Sequence, residues 1–348
     1  MPDAVQRMPW AARPGLCWIV AEVSANHNHS IERAEAIIRA AADAGADAVK
    51  LQTYTADTLT IPCDNEYFRI KGTLWEGRTL HDLYQEAYTP WEWHPRLMQL
   101  ANDLGMVCFS TPFDATAVDF LESLNVPCHK VASFEAVDIP LLTKIAATGK
   151  PVILSTGMAS LAEIDEAVRT LRENGTKDLV LLKCTSSYPA PPEEANLRTI
   201  PHLSQAFGCP AGLSDHTMGS AVAVTAVALG AVMIEKHFTL SRADGGPDSA
   251  FSMEPDEFRQ MVRNIHTAEK ALGRVNYELT DQERESIIFR RSLFVVKDMK
   301  VGEFFTEENV RSIRPGHGLH TRFYASILGR RAVQDIEKGT PLSWDLLS

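Results

Sequence analysis

Glu22, Lys50, Lys130, His216, Glu235 and His237 each stand at or just past the C-terminal end of a short apolar run. Such runs normally give way to turn residues, not to side chains that move protons or bind ions. The first of them, "WIVAEVSANHNHS" from Trp18 to Ser30, begins as a buried strand and finishes in Glu22, Asn26, His27, Asn28 and His29. Others end in Lys50 and Gln52; Ser110 and Thr111; Lys130, Ser133 and Glu135; Ser155 and Thr156; and Lys183 and Thr185. The last two end in Ser214, Asp215 and His216, and in Glu235, Lys236 and His237. One terminal hydroxyl is commonly a helix cap. The whole set is better explained by several strands aiming at one active site.

Two subsets are chemically coherent. Lys50 and Lys130, with hydroxyls at Thr111, Ser133 and Ser155, suit a phosphate or a phosphate with a carboxylate. Lysine supplies point charge, and hydroxyls supply directional donors. His216 and His237 end successive strands, and two neutral imidazoles can hold a divalent cation while leaving positions open. Their spacing is no HExxH, and histidines hydrogen-bonded to their surroundings read nearly as well. Asp215 and Glu235 beside them could orient such a site or join it. Glu22, Asn26, His27, Gln52, Glu135, Tyr188 and Asp248 carry amides and carboxylates fit for a polyhydroxylated co-substrate.

The elements that must position these groups are strands alternating with helices. The apolar runs "CWIVAEV", "DAVKLQT", "MVCFST", "CHKVAS", "PVILSTG", "LVLLKCT", "PAGLSD" and "AVMIEKHF" are mostly continuous, as in strands buried on both faces. Between them lie helical stretches such as "SIERAEAIIRAAADAGA" and "SLAEIDEAVRTLRENG", the latter opening with a capping box of Ser160 and Glu163. This repetition predicts an α/β fold, a (β/α)8 TIM barrel with its chemistry at the C-terminal strand ends. An open doubly wound sheet is the alternative, and no GxGxxG follows the first strand to support it. The stretch 54–90 is far longer than an ordinary βα loop and is expected to shape access to the site.

Beyond about residue 280 the texture changes to short β-like runs broken by Gly and Pro, which predicts a small β-rich domain. We expect a catalytic barrel over residues 1–280, a linker over 281–289 and the small domain over 290–348. Within it, "VKDMKVGEFFTEENV" and "VQDIEKGTPLSWDLL" resemble each other and suggest internal pseudo-symmetry. Trp91 and Trp93 read as packing residues, and His94, His129, His202 and His266 carry no motif. His317 and His320 lie near Arg314 and could line a shared site.

The net charge of −11 argues against nucleic acid or an anionic membrane as partner. It leaves room for an anionic small substrate held by local lysines. The six cysteines show no CxxC pair, as in a reducing compartment. The first residues, "MPDAVQRMPWAARPG", lack the apolar core of a secretory signal, and no run is long enough to span a bilayer. The expected location is the cytoplasm.

The segments "AEVSANHN", "KLQTY", "FSTPFD", "KVASFE", "STGMA", "KCTSSYPAPPEEANLRTI", "GLSDHTMG", "IEKHFTLSR" and "GGPDSAFS" together resemble the sialic acid synthase family, which condenses phosphoenolpyruvate with an amino sugar. The C-terminal segment, with "RSIRPGHG", looks like that family's antifreeze-like (SAF) domain. N-acetylneuraminate synthases tend to read A-E-I-G-x-N-H-x-G at the first strand and K-I-x-S-G-E at the fourth. Here Ser24, Asn28–His29 and Phe134 depart from those patterns, so the chain is most similar to the pseudaminate branch. That branch takes 2,4-diacetamido-2,4,6-trideoxy-altrose; neuraminic or legionaminic acid synthesis is the alternative, and a non-catalytic carbohydrate-binding protein is the alternative of another class.

The resemblance implies a divalent metal (Mn, Mg or Co) at His216 and His237, with Glu22 or Glu235 managing protons. It implies phosphoenolpyruvate bound among Lys50, Thr111, Lys130, Ser133, Ser155, Ser186 and Ser214, the family's residue at Ser186 often being Asn. Sugar contacts would fall on Glu22, Gln52, Glu135, Tyr188 and Asp248. Arg314 and Phe289 would reach the sugar from a neighbouring subunit, which implies a domain-swapped homodimer.

Overall fold

The computed structural model describes residues 16–348; the N-terminal stretch read for a targeting signal lies outside the described residues. The chain divides into two compact units, one running to Gly273 and the other Arg274–Ser348. The stretch expected as a linker contains a short helix, Asp281–Ser286.

In the first unit eight parallel strands close into a barrel. They are β1 (Trp18–Glu22), β2 (Ala48–Thr53), β3 (Val107–Pro112), β4 (His129–Val131), β5 (Val152–Ser155), β6 (Leu179–Cys184), β7 (Ala211–Asp215) and β8 (Met233–His237). The ring closes by β1 on β8, with Glu22 opposite His237 and Val20 opposite Glu235. Every apolar run read as a strand is one, and the TIM-barrel fold is present. The capping box at the helix Leu161–Glu173 is formed: Ser160 N–H donates to Glu163 at 2.7 Å, and Glu163 N–H to Ser160 Oγ at 3.3 Å.

Alternation along each strand sorts the side chains into two cores. One set packs inside the barrel: Trp18, Val20, Ala48, Phe109, Ile153, Val180, Leu182 and Met233. Their neighbours Ile19, Val49, Leu51, Leu154, Leu181 and Ile234 pack outward against the helices. Gly212 belongs to the tight interior, where a Cβ would run into the Met233 carbonyl and the Leu182 side chain. Apolar side chains therefore fill the barrel from below, and the next inward positions on the same strands are polar.

The long stretch after β2 holds two short helices, Ala56–Leu59 and Leu80–Ala87, joined by a turn closed through an Arg69–Thr79 bridge. It is tied across the barrel mouth where Trp75 Nε1 donates to the Pro247 carbonyl at 2.9 Å. Among the described residues no helix is long and apolar enough to cross a membrane.

The second unit pairs β9 (Ser292–Val295) antiparallel with β10 (Val310–Ile313) over a core that includes Leu293, Val295, Met299, Phe305, Val310 and Ile336. The expected pseudo-symmetry is real. Met299 and Ile336 exchange both backbone hydrogen bonds, at 2.8 and 2.9 Å. Val301 N–H donates to Asp335 at 2.9 Å and Lys338 N–H donates to Asp298 at 2.7 Å, the same contact made twice from equivalent positions. Phe289 and Arg314 belong to this unit.

Candidate active site

A cavity of about 380 Å³ opens at the C-terminal end of the barrel. Lys50 and Gln52 from β2, Lys130 from β4, Ser155 from β5, Ser214 from β7, and Glu235 and His237 from β8 line it from the strands. Ser133, Glu135, Tyr188, His216 and Asp248 join them from the loops. Glu22 and Thr111 lie just beneath, both holding Lys50. Ser186 sits at the β6 end, its hydroxyl 3.7 Å from Cys184 Sγ. Thus the cation pair, the hydroxyls and the carboxylates expected from the sequence converge within the barrel unit.

Alternation excludes the others. Lys236 and Asp215 are one residue out of phase with His237 and His216, so they point away and bind each other at 2.7 Å, both buried. Ser110 bonds Thr53, and Lys183 donates to the Cys184 carbonyl at 2.7 Å. Asn26 and His27, read as ligand groups, are instead braces. Asn26 Nδ2 donates to the Phe238 carbonyl and to Ser252 Oγ, each at 2.9 Å. His27 bonds Thr89 at 3.1 Å, and burial drives its pKa to about 4, so it is neutral. Trp91 and Trp93 pack on Phe120 and His27, as expected.

Electrostatics in the cavity centre on Lys50, which lies 3.1 Å from both Glu22 and Glu235. Burial disfavours its charge, but the two carboxylates hold the ammonium above the ordinary lysine value. The carboxylates differ. Burial pushes Glu22 up to about 7 against the pull of Lys50, with the Glu235 charge adding to the rise. Burial acts on Glu235 too, yet Lys130 and Lys50 together hold it below the usual carboxylate range. Lys130 donates to Ser155 Oγ at 2.7 Å and to the Val131 carbonyl at 2.8 Å. Burial lowers it to about 8, partly offset by Glu235. Glu135 is pushed up to about 7 by burial despite Lys130. Gly157 lets the hydroxyls of Ser133 and Ser186 approach, since a side chain there would strike both; its own N–H donates to Ser133 Oγ at 3.1 Å.

His216 and His237 face each other with ring centroids 5.3 Å apart. His216 Nδ1 donates to the Thr185 carbonyl at 3.0 Å, which leaves Nε2 as its ligating nitrogen. Burial, reinforced by His216 and Lys50, holds His237 well below its ordinary pKa, and its Nδ1 has no hydrogen-bond partner. Glu235 Oε2 is likewise buried without one. The two facing imidazoles, one with an unpartnered nitrogen, fit as partial ligands of a divalent cation. Among the described residues no group of three or more His, Cys, Asp or Glu forms a ready-made cage, so the pair could supply only part of a coordination sphere.

Sequence reasoning missed the other wall. Tyr54, Trp75, Leu83, Tyr84, Phe113 and Phe134 line the upper cavity, several of them from the long insertion. It named Ser24 only as a departure from the neuraminate pattern, not as a lining residue, and it missed Cys184. Cys184 occupies an inward β6 position beside His216, 3.8 Å from Nδ1. Burial opposes its ionisation, but bonding to His216 brings the thiol down to about 7.

Comparison with known proteins agrees with this geometry. The chain is 46% identical over 331 residues to a pseudaminic acid synthase of Helicobacter pylori, covering 94% of this chain and 96% of the relative. It is 46% identical over 325 residues to one of Campylobacter jejuni, covering 93% and 95%. Among solved structures it matches an N-acetylneuraminic acid synthetase of Leptospira borgpetersenii with a TM-score of 0.69 and 33% identity, covering 78% of this chain and 90% of that one. Residues 37–277 match the NeuB family and residues 290–348 match the SAF domain. A match of that extent, borne on a closed barrel with its polar side chains gathered at one mouth, settles the lineage: this chain belongs to the NeuB family and ends in a SAF domain.

Proposed function

We propose that the chain is a pseudaminic acid synthase, condensing phosphoenolpyruvate with 2,4-diacetamido-2,4,6-trideoxy-altrose and water to give pseudaminic acid and phosphate. The observation that carries this reading is one cavity with a cationic floor at Lys50 and Lys130, a cluster of amide and carboxylate side chains beside it, and an apolar upper wall. The floor suits an anion with two charged ends. The wall suits the methyl groups of a deoxy, diacetylated sugar, each buried methylene-sized group being worth about 0.8 kcal/mol. The resemblance to curated pseudaminic acid synthases at 46% identity supports the same sugar.

Lys50, Lys130 and the hydroxyls of Ser133, Ser155 and Ser214 would bind the phosphate and carboxylate, with Thr111 supporting Lys50 and Ser186 at the rim. Gln52, Glu135, Tyr188 and Asp248 would hold the sugar; Glu22, expected among them, lies beneath the cavity and accepts from the Gln52 amide instead. A divalent cation of the Mn, Mg or Co type on His216 and His237 would supply Lewis-acid polarisation of the sugar aldehyde. Holding both substrates in register supplies much of the rate, roughly 7–11 kcal/mol where alignment is good. The C3 methylene of phosphoenolpyruvate attacks the aldehyde carbon, a C–C bond forms, and positive charge develops at C2. Water adds at C2, and Glu235, ionised and with one unpartnered oxygen, takes its proton. That proton returns to the new alkoxide; the C2 hydroxyl then passes its remaining proton to the departing phosphate as the C2–O bond to phosphate breaks and C2 becomes the keto carbon. Glu22, buried beneath the cavity, balances Lys50.

Residues 1–280 would form the catalytic unit and 290–348 the SAF unit, joined by 281–289. In a domain-swapped homodimer Arg314 and Phe289 would come from the second copy. Free cysteines throughout the described chain fit a reducing, cytoplasmic setting.

Phosphate release from phosphoenolpyruvate is the test. It should occur with the diacetamido-trideoxy-altrose, stop with a chelator and return with manganese. Release with N-acetylmannosamine or with the legionaminate precursor instead would reassign the sugar, and no release with any sugar would return the chain to a binding role. A second expectation concerns pH. Lys130 binds anions as an ammonium, and its pKa is about 8 in the free protein. Hence kcat/KM for phosphoenolpyruvate, which reports the free enzyme, should fall about tenfold per unit as pH rises beyond about 8. A flat profile to pH 9.5 would remove Lys130 from that role.

A further inference from the structure

We propose that Ser24 is a positioning residue of the sugar subsite: its hydroxyl couples the Gln52 amide to the Asp248 carboxylate and turns both into acceptors for ligand N–H and O–H groups. The proposal rests on the sugar-binding reading above.

Ser24 opens the turn after β1 with φ of 47°, in the left-handed region where a residue bearing a Cβ is strained and glycine is not. Asn28 and His29 in the same turn share that region, at 47° and 54°. Asparagine tolerates it through its own side chain, but serine gains little there by itself. Ser24 is only 1% exposed, yet it lines the cavity. A strained, buried polar residue at a binding cavity points to a function that offsets the strain.

The hydrogen bonds identify it. Ser24 Oγ donates to Asp248 Oδ2, which also accepts from Ala25 N–H at 3.3 Å. Ser24 Oγ in turn accepts from Gln52 Nε2 at 3.2 Å. Gln52 Nε2 has two hydrogens, and the other goes to Glu22 Oε1 at 2.8 Å. Both amide hydrogens are therefore committed inside the protein. A flipped amide would set its carbonyl against the Glu22 carboxylate, so the orientation is enforced. What remains for the ligand is the Gln52 carbonyl oxygen and the second oxygen of Asp248. Both accept, so they select donors: an acetamido N–H and a sugar hydroxyl. Glycine at this position would relieve the backbone and release both side chains at once.

The experiment compares Ser24→Gly and Ser24→Ala with the parent protein in the phosphate-release assay. Losing a hydrogen bond that orients a charged group should raise the sugar KM roughly tenfold or more in both variants. The KM for phosphoenolpyruvate should stay within about twofold, a split that a general loss of structure would not produce. Ser24→Gly should melt at or above the parent temperature, and Ser24→Ala below Ser24→Gly, because alanine keeps the backbone strain. An unchanged sugar KM in both variants overturns the proposal, as does a parallel rise in both KM values. If the parent protein releases no phosphate with the diacetamido sugar, the sugar assignment fails and Ser24 is judged by a crystal structure of Ser24→Gly. There, Gln52 and Asp248 spread over several rotamers would support the coupling, and unchanged orientations would overturn it.

Discussion

Lys50→Met should reduce kcat/KM for phosphoenolpyruvate roughly a thousandfold, the effect of truncating one member of a buried, hydrogen-bonded charge cluster. Lys50 is 5% exposed and holds Glu22 and Glu235, each at 3.1 Å. Its removal takes a cation from the anion site and leaves two buried carboxylates without their shared counter-ion. Those carboxylates then hold protons more tightly in the folded state than in the unfolded one. The sign follows from linkage: a carboxyl whose folded pKa is raised supports stability below the unfolded pKa, and that support is lost as pH rises through the folded value. In the parent protein Glu22 already shows this, at about 7. In the variant the loss should extend to higher pH, so the Tm gap between parent and Lys50→Met should widen from pH 6 to pH 8. A variant within tenfold of the parent kcat/KM, or a Tm gap that narrows with pH, would remove Lys50 from the centre of the site.

Lys236→Met should destabilise the barrel by about 3–5 kcal/mol, since it strands a buried Asp215 carboxylate. Lys236 and Asp215 are each 1% exposed at the side chain and lie 2.7 Å apart. Lys236 also caps the Thr217 carbonyl, while Asp215 accepts from Thr217 N–H at 2.9 Å and its hydroxyl at 2.7 Å. This clamp anchors the strand end that carries His216. Replacing both partners removes the stranded charge, so Lys236→Met with Asp215→Leu should be more stable than Lys236→Met alone. Thermal melting of the two variants decides it; a double variant no better than the single one would mean that the loss comes from packing.

The two lysines show how much of the site the chain displays in one dimension. Lys50 and Lys236 both stand toward the C-terminal ends of strands, and by residue type they are equivalent. One lies in the active-site cavity and the other beneath the helices, because side chains alternate across the sheet and a single residue of phase exchanges the two faces. The phase is legible only when the closed ring is known, with Val20 opposite Glu235 and Glu22 opposite His237. Asn26 and His27 differ from the ligand-group reading for another reason: they lie in the turn after β1, and their partners, Phe238, Ser252 and Thr89, come from distant parts of the chain.

By itself the sequence determined the eight-strand barrel, the small C-terminal β unit with its internal pairing, and the end of the barrel that carries the chemistry. Those features are written in local periodicity and in polar residues that recur at the same place in each repeat, and both survive without knowledge of the third dimension. Only the tertiary structure decided which strand-end groups face the cavity, how far Glu22 and Glu235 differ, and that an apolar wall stands over a cationic floor. Burial and the distances between residues remote in sequence set all three, and neither exists until the ring has closed.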